Sequence, residues 1–378
     1  MAEILNTYFS SVFTPETNDE IPQTEKINCI DEIFNIKFTK ADILKAINRL
    51  KPSHSSGPDG ITVNLLQKLS AAIVVPLEII LNLSMEEGTV PQEWKDAYVV
   101  PIFKKGTKAN PSNYRPVSLT SIVCKLMETM IKDHMMDFLL RNNLLRASQH
   151  GFLPKKSCLT NLLEFLEVIT KVMDEADPVD ILYLDFSKAF DKVPHRRLIA
   201  KLEALNIKGN IRNWIENWLK GRRQKVVING KSSLWQLVLS GVPQGSVLGP
   251  ILFIIFINDL DLATEGALVL KKFADDTKLA NLARNSDDQK QMQKAIDDLV
   301  IWSKKWGMAF NKDKCKVMHC GSNNPRYNYT MENQTLSSTD EEKDIGVIIN
   351  KSMKPSKQCE NAAIKAKTVL NQISRSFH

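Results

Sequence analysis

Apolar positions along this chain switch between a helical period and short continuous runs. Ile43, Ile47 and Leu50 lie at helical spacing within 39–50, and the turn-forming KPSHSSGPDG (51–60) ends that helix. Val123, Met127, Met130, Ile131, Met135 and Phe138 keep the same period, as do Leu159, Leu162, Leu163, Leu166, Ile169 and Met173. Both stripes predict long helices with core-facing sides. Then the period breaks. Val179-Asp180-Ile181-Leu182-Tyr183-Leu184 is short, apolar and partly β-branched, the pattern of a buried strand ending at Asp185.

Helical spacing returns at 194–205, with Pro194 in the first turn and Leu198, Leu202 and Leu205 on one side, and again at Ile211, Trp214, Ile215 and Trp218. Hairpins are predicted at 225–239, around Asn229-Gly230, and at 267–282, around Ala274-Asp275-Asp276. Ser286 and Gln289 read as a capping box. It opens a helix with the stripe Met292, Ile296, Leu299, Ile301 or Trp302, and Trp306, closed by Gly307. Helices alternate with hairpins and single strands without regular βαβ units, which predicts an α+β fold.

Composition narrows the class. The 378 residues are 43% hydrophobic and 25% charged, the mix of a globular protein with two or three lobes. The longest apolar stretch, Val247 to Ile257, holds 11 residues including Gly249 and Pro250. A membrane span needs about 20, so a buried segment and no membrane partner are expected. The N-terminus lacks a basic region and a cleavable apolar core, which argues against secretion. A polar, proline-bearing stretch at 15–27 reads as a linker. The net charge of +7 favours a polyanionic partner without deciding for one. Six scattered cysteines include no CxxC pair, and Cys315, His319 and Cys320 lack a second zinc-ligand pair, so reduced intracellular thiols are expected.

Three carboxylates stand in awkward places. Asp185 ends an apolar strand, and Asp275-Asp276 sit at the tip of an apolar hairpin. Each is either an ordinary solvated turn residue or part of a hard-oxygen site for Mg²⁺, provided strand and hairpin are neighbours. Two such ions about 3.5–4 Å apart serve in-line phosphoryl displacement. Between them SGVPQGSVLGP (240–250) places little side-chain bulk ahead of an apolar helix, either for helix packing or for close approach by a flat ligand such as a base pair, with Gln244 adding an amide. Lys104 and Lys105 precede a Gly/Asn/Pro turn that returns to Tyr114-Arg115, a solvated loop or a clamp on a triphosphate. Arg222-Arg223 either follow a phosphate backbone or lie on the surface.

Taken together, FKKG…NYRPVSLTS (103–121), QHGFLPKKSCLTNLL (149–163), LYLDFSKAFDKVPH (182–195), SGVPQGSVLGPILFIIFINDL (240–260) and FADDTKL (273–279) resemble, in order, the blocks of a reverse transcriptase. The likeness is to the LINE-type non-LTR retrotransposon kind, near its jockey-like branch. Motif C begins with phenylalanine, ordinary in such relatives.

The resemblance implies a right-hand polymerase with an antiparallel palm sheet backed by helices. Its expected divisions are an N-terminal extension and linker at 1–38, a fingers-rich region at 39–178, a palm with an interleaved fingers segment at 179–347 and the start of a truncated thumb at 348–378. It implies an RNA-directed DNA polymerase that takes an RNA template, a DNA primer and dNTPs in retrotransposon replication. A non-catalytic binder of RNA or RNA–DNA hybrid is the alternative. Asp185, Asp275 and Asp276, with the Phe186 carbonyl, would hold two Mg²⁺ ions, with Mn²⁺ as a substitute. Phe190 would be a steric gate against a 2′-hydroxyl, Gln244 and Gly245 would lie along the nascent pair, and Arg115 with Lys104 or Lys105 would contact the triphosphate. Lys314, with Lys316 as the other candidate, would protonate pyrophosphate. Asp344-Ile345-Gly346 would be the primer grip. The resemblance places such a protein inside the cell, in nucleus or cytoplasm.

Overall fold

The computed structural model describes residues 1–16, 20–24 and 31–376. Part of the linker read at 15–27, with Cys29, lies outside them. The chain divides into two compact units, Met1–Arg146 with Lys188–Asn258 and Lys305–Met308, and Ala147–Ser187 with Asp259–Lys304 and Ala309–His378. Helices and mostly antiparallel sheets make up both, the α+β class expected.

In the first unit, Asp96–Phe103 pairs antiparallel with Tyr114–Thr120 and parallel with Arg223–Ile228. Asn229 and Gly230, at φ 48° and 76°, make the expected turn, but the returning strand is split into Lys231–Ser232 and Gln236–Leu237. Thr39 caps the Lys40–Arg49 helix in a box with Asp42. The apolar run becomes the buried helix Gly249–Phe256, and Pro194 sits at the N-cap of His195–Ala204 rather than in its first turn. The Val63–Glu87 helix is long and apolar enough, by length and composition, to cross a membrane. It is not an uninterrupted apolar run, because Pro76 and Glu78 break the stretch. Val74, Leu77, Leu81 and Met85 are buried, and Ile79, Ile80 and Leu83 are exposed.

The second unit is built on a five-stranded sheet whose central strand, Val179–Leu184, lies between Lys316–Cys320 and Asp276–Leu282. Cys158–Asp174 packs Phe165 and Ile169 into the core of this unit. Leu159 and Leu163, expected in that core, are exposed, because Asn161, Leu162 and Phe165 take the inward side. In the Ser286–Trp306 helix Trp302 faces inward and Ile301 outward. The helix is capped one residue before the expected box: Asn285 Oδ1 accepts from the Asp287 and Asp288 amides at 2.9 and 3.0 Å. Beneath the sheet the fully buried Asp180 accepts from His319 Nδ1 (2.7 Å), Tyr329 Oη (2.7 Å) and Asn324 Nδ2 (2.8 Å). His319, a zinc-ligand candidate by residue type, is engaged there instead.

Candidate active site

The apolar run 179–184 delivers Asp185 to the end of the central strand. Leu184 pairs with Thr277, so Asp185 emerges beside the hairpin formed by Val269–Phe273 and Asp276–Leu282. Phe273 lies opposite Asp276. The turn is therefore Ala274-Asp275, and Asp276 is the first residue of the returning strand rather than part of the turn. Strand and hairpin are neighbours, as a shared metal site requires.

The carboxylates interact. Partial burial first, then repulsion from Asp275, Asp185 and Asp344, raises the Asp276 carboxyl to a pKa of about 6 against the pull of Lys278. Lys314 Nζ donates to Asp185 Oδ2 at 2.9 Å, and the Asn311 amide donates to the Asp185 carbonyl at 2.7 Å. Lys316 instead pairs with Glu342 at 2.8 Å, so of the two lysines Lys314 is the one at the carboxylates. Phe186 is buried and stacks on Phe310 at 4.5 Å.

Asp344, first residue of the expected primer grip, ends the strand Glu341–Asp344, which forms a hairpin with Val347–Asn350. Its side chain is buried and ion-paired with buried Lys278. Burial pushes the Asp344 carboxyl up and the Lys278 ammonium down, and the charge of each partner opposes that shift in the other. The tip of that hairpin is Ile345-Gly346, at φ 45° and 95°.

In the first unit, Gln244 Nε2 donates to Asp191 Oδ1 at 3.0 Å, and the Ser118 amide donates to the Gln244 carbonyl at 2.7 Å. Gly245, at φ 116°, leaves no room for a side chain: a Cβ would lie 2.5 Å from the Ser118 carbonyl oxygen. Phe190 stacks on Phe253 at 4.4 Å. Lys104, Lys105 and Arg115 are exposed at the tip of the hairpin formed by Asp96–Phe103 and Tyr114–Thr120. Arg222 and Arg223 do not form an exposed basic track. Arg222 is buried under Trp218, and Arg223 donates twice to Asp96, at 2.9 and 2.6 Å.

Sequence reasoning missed Asp191 and Gln149. Burial raises the Asp191 carboxyl, against the hydrogen bond from Gln244 and the charges of Lys188 and Lys104. Its only signal is a second aspartate six residues after Asp185. Gln149 opens the QHGFLPKK segment, whose resemblance assigns it no role.

A strand-end carboxylate beside a hairpin tip with two neighbouring carboxylates, one in the turn and one opening the returning strand, defines an acidic site of hard oxygen donors. Residues 102–358 match the family described as reverse transcriptase (RNA-dependent DNA polymerase), and the chain belongs to that family. Among similar proteins, the probable RNA-directed DNA polymerase from transposon BS of Drosophila melanogaster is 28% identical, over 72% of this chain and 31% of that one. The RNA-directed DNA polymerase from mobile element jockey of Drosophila funebris is 26% identical, over 83% and 35%. The chain thus spans about a third of the length of these relatives. Among solved structures, apo telomerase from Candida tropicalis, truncated from its C-terminal domain, aligns with a TM-score of 0.49 and 13% identity, over 77% of this chain and 59% of that one.

Proposed function

We propose that this chain carries RNA-directed DNA polymerase activity, adding dNTPs to a primer 3′-hydroxyl on an RNA template, as part of a retrotransposon replication protein. The observation that carries the proposal is the pairing of Leu184 with Thr277, which sets Asp185 beside Asp275 and Asp276 in a chain of the reverse transcriptase family.

That family generally uses divalent metal ions. Among the described residues no ready-made group of three or more His, Cys, Asp or Glu ligands is assembled. The donor chemistry nevertheless fits a hard cation. Burial first, then the charges of Asp275, Asp185 and Asp344, raise the Asp276 carboxyl, and Asp185 is ion-paired with the Lys314 ammonium. Asp185, Asp275 and Asp276, with the Phe186 carbonyl, would hold two Mg²⁺ ions, with Mn²⁺ substituting; when bound, these supply charge neutralisation and activation of the attacking hydroxyl.

The side chains of this protein would mostly align and neutralise, since phosphoryl transfer needs little covalent help. Lys314, whose Nζ donates to Asp185, would serve as acid toward pyrophosphate. Arg115, Lys104 and Lys105 would bind the triphosphate. Phe190 would exclude a ribose 2′-hydroxyl, and Gln244 and Gly245 would line the nascent pair. With the Asp344 side chain turned inward, Ile345 and Gly346 would offer backbone to the primer. Backbone contacts and duplex shape would make template sequence matter little.

The test is primer extension on an RNA template with dNTPs and Mg²⁺, by wild type and Asp275→Ala, both shown to be folded. Extension by wild type and its loss in the variant are expected, by at least about 10³-fold. A folded wild type that retains RNA–DNA hybrid without extending it would overturn the proposal in favour of a binding protein.

A further inference from the structure

The turn that carries Asp275 and leads into Asp276 begins with Ala274 at φ 55°. Positive φ at the first turn position only is the pattern of a type II′ hairpin turn, which glycine serves most readily. Alanine meets a steric penalty there, so something outside the turn must hold it. The candidate is 125 residues away in sequence. Gln149, 1% exposed, accepts the Ala274 amide on Oε1 at 3.0 Å and the Gly151 amide on the same atom at 2.7 Å.

The surroundings fix that glutamine tightly. The His150 amide donates to the Lys272 carbonyl and the Lys272 amide to the Ser148 carbonyl, each at 2.9 Å, stitching 148–150 along the strand that leads into the turn. Gly151 packs directly on the turn: a Cβ there would lie 2.4 Å from the Ala274 nitrogen. Gln149 Nε2 is buried without a hydrogen-bond partner among the described residues. Burying an amide donor unmet is costly, so the site spends one half of the side chain to place the other.

We infer that Gln149 is a positioning residue for the acidic turn: its amide oxygen holds Ala274 left-handed and thereby sets the direction in which Asp275 and Asp276 project. The inference rests on the reading of those carboxylates as the metal-holding pair of the polymerase. Without the Oε1 acceptor, Ala274 relaxes toward negative φ and the Asp275 peptide turns with it. The chemical step then suffers while the nucleotide-binding residues are untouched.

The test compares wild type, Gln149→Met, and Gln149→Met with Ala274→Gly. Two readouts are used, single-nucleotide incorporation on an RNA template and hydrogen exchange of the Ala274 amide in the metal-free protein. Gln149→Met is expected to lose protection at Ala274 and to lower kcat about 10- to 100-fold, with KM for dNTP nearly unchanged. The added Ala274→Gly should recover much of kcat, because glycine reaches positive φ unaided. Gln149→Met with wild-type kcat and Ala274 protection overturns the inference, as does a loss that Ala274→Gly leaves in place. Should Gln149→Met not fold, Gly151→Ala presses on the same Ala274 nitrogen and is expected to show the same split. A wild type that does not extend breaks the polymerase reading alone; exchange at Ala274 then decides this inference.

Discussion

Two hairpins of the second unit meet the same backbone problem in opposite ways. Each turn puts a non-glycine residue at positive φ, Ala274 at 55° and Ile345 at 45°. Ala274 is 4% exposed and takes its conformation from outside, through Gln149 and the close approach of Gly151. Ile345 takes it from its own neighbour: Gly346 follows at φ 95°, exposed, with no atom of the described residues within 4 Å of where a Cβ would stand. The second hairpin is held at its first strand instead, by Lys278 on Asp344 and Lys316 on Glu342. A tip gripped by the surrounding fold suits carboxylates that must stay aligned. A tip defined only by local sequence suits backbone presented to a partner.

Removing the grip on the second hairpin has the largest expected effect. Lys278→Met leaves Asp344 buried without its cation, and urea unfolding should show a loss of about 3–5 kcal/mol. Adding Asp344→Leu should return a large part of it. If the single variant costs no more than a surface substitution, Lys278 does not anchor that hairpin.

The two glycines separate the two kinds of turn. Gly151→Ala meets backbone at 2.4 Å and should cost about 1–3 kcal/mol through overpacking. Gly346→Ala has open space and only an unfavourable φ, so about 1 kcal/mol is expected. Unfolding midpoints in the reverse order would undo the contrast.

The smallest effect is a pH dependence at Asp276. Its folded pKa of about 6 lies above the ordinary 3.8, so between those values the folded protein keeps a proton that the unfolded chain has released. Metal-free protein therefore loses stability as pH rises through that window, and the loss is complete above it. Asp276 is only partly buried and keeps contact with solvent, and solvent screening reduces the amount to about 1 kcal/mol. Asp276→Asn should be more stable than wild type by about that much near pH 7.5, with the difference closing toward pH 4. A difference constant with pH would show that Asp276 is not the group responsible.

Much of this site is legible in the order of the residues. A continuous apolar run halted by Asp185, and an apolar hairpin tipped with two aspartates, are local patterns that propensity and period detect. Their adjacency is not local, because Leu184 meets Thr277 across 93 residues, and among sequence arguments only the family resemblance implies it. Periodicity also leaves finer choices open. It does not say that Asn161 and Phe165 outcompete Leu159 and Leu163 for the core, or that Arg222 goes inside. Gln149 is illegible for a stronger reason. An amide oxygen acquires a role only from the turn it grips, and nothing in its neighbourhood marks Ala274 as needing support.

The central claim is that the strand end and the hairpin tip form one metal site. Binding of Mn²⁺, followed by the loss of its free-ion electron paramagnetic resonance signal, tests it in wild type and Asp185→Asn without requiring turnover. If Asp185 shares ions with Asp275 and Asp276, the variant should bind at least about 10- to 100-fold more weakly while remaining folded. Equal affinity in the two proteins would contradict a shared site.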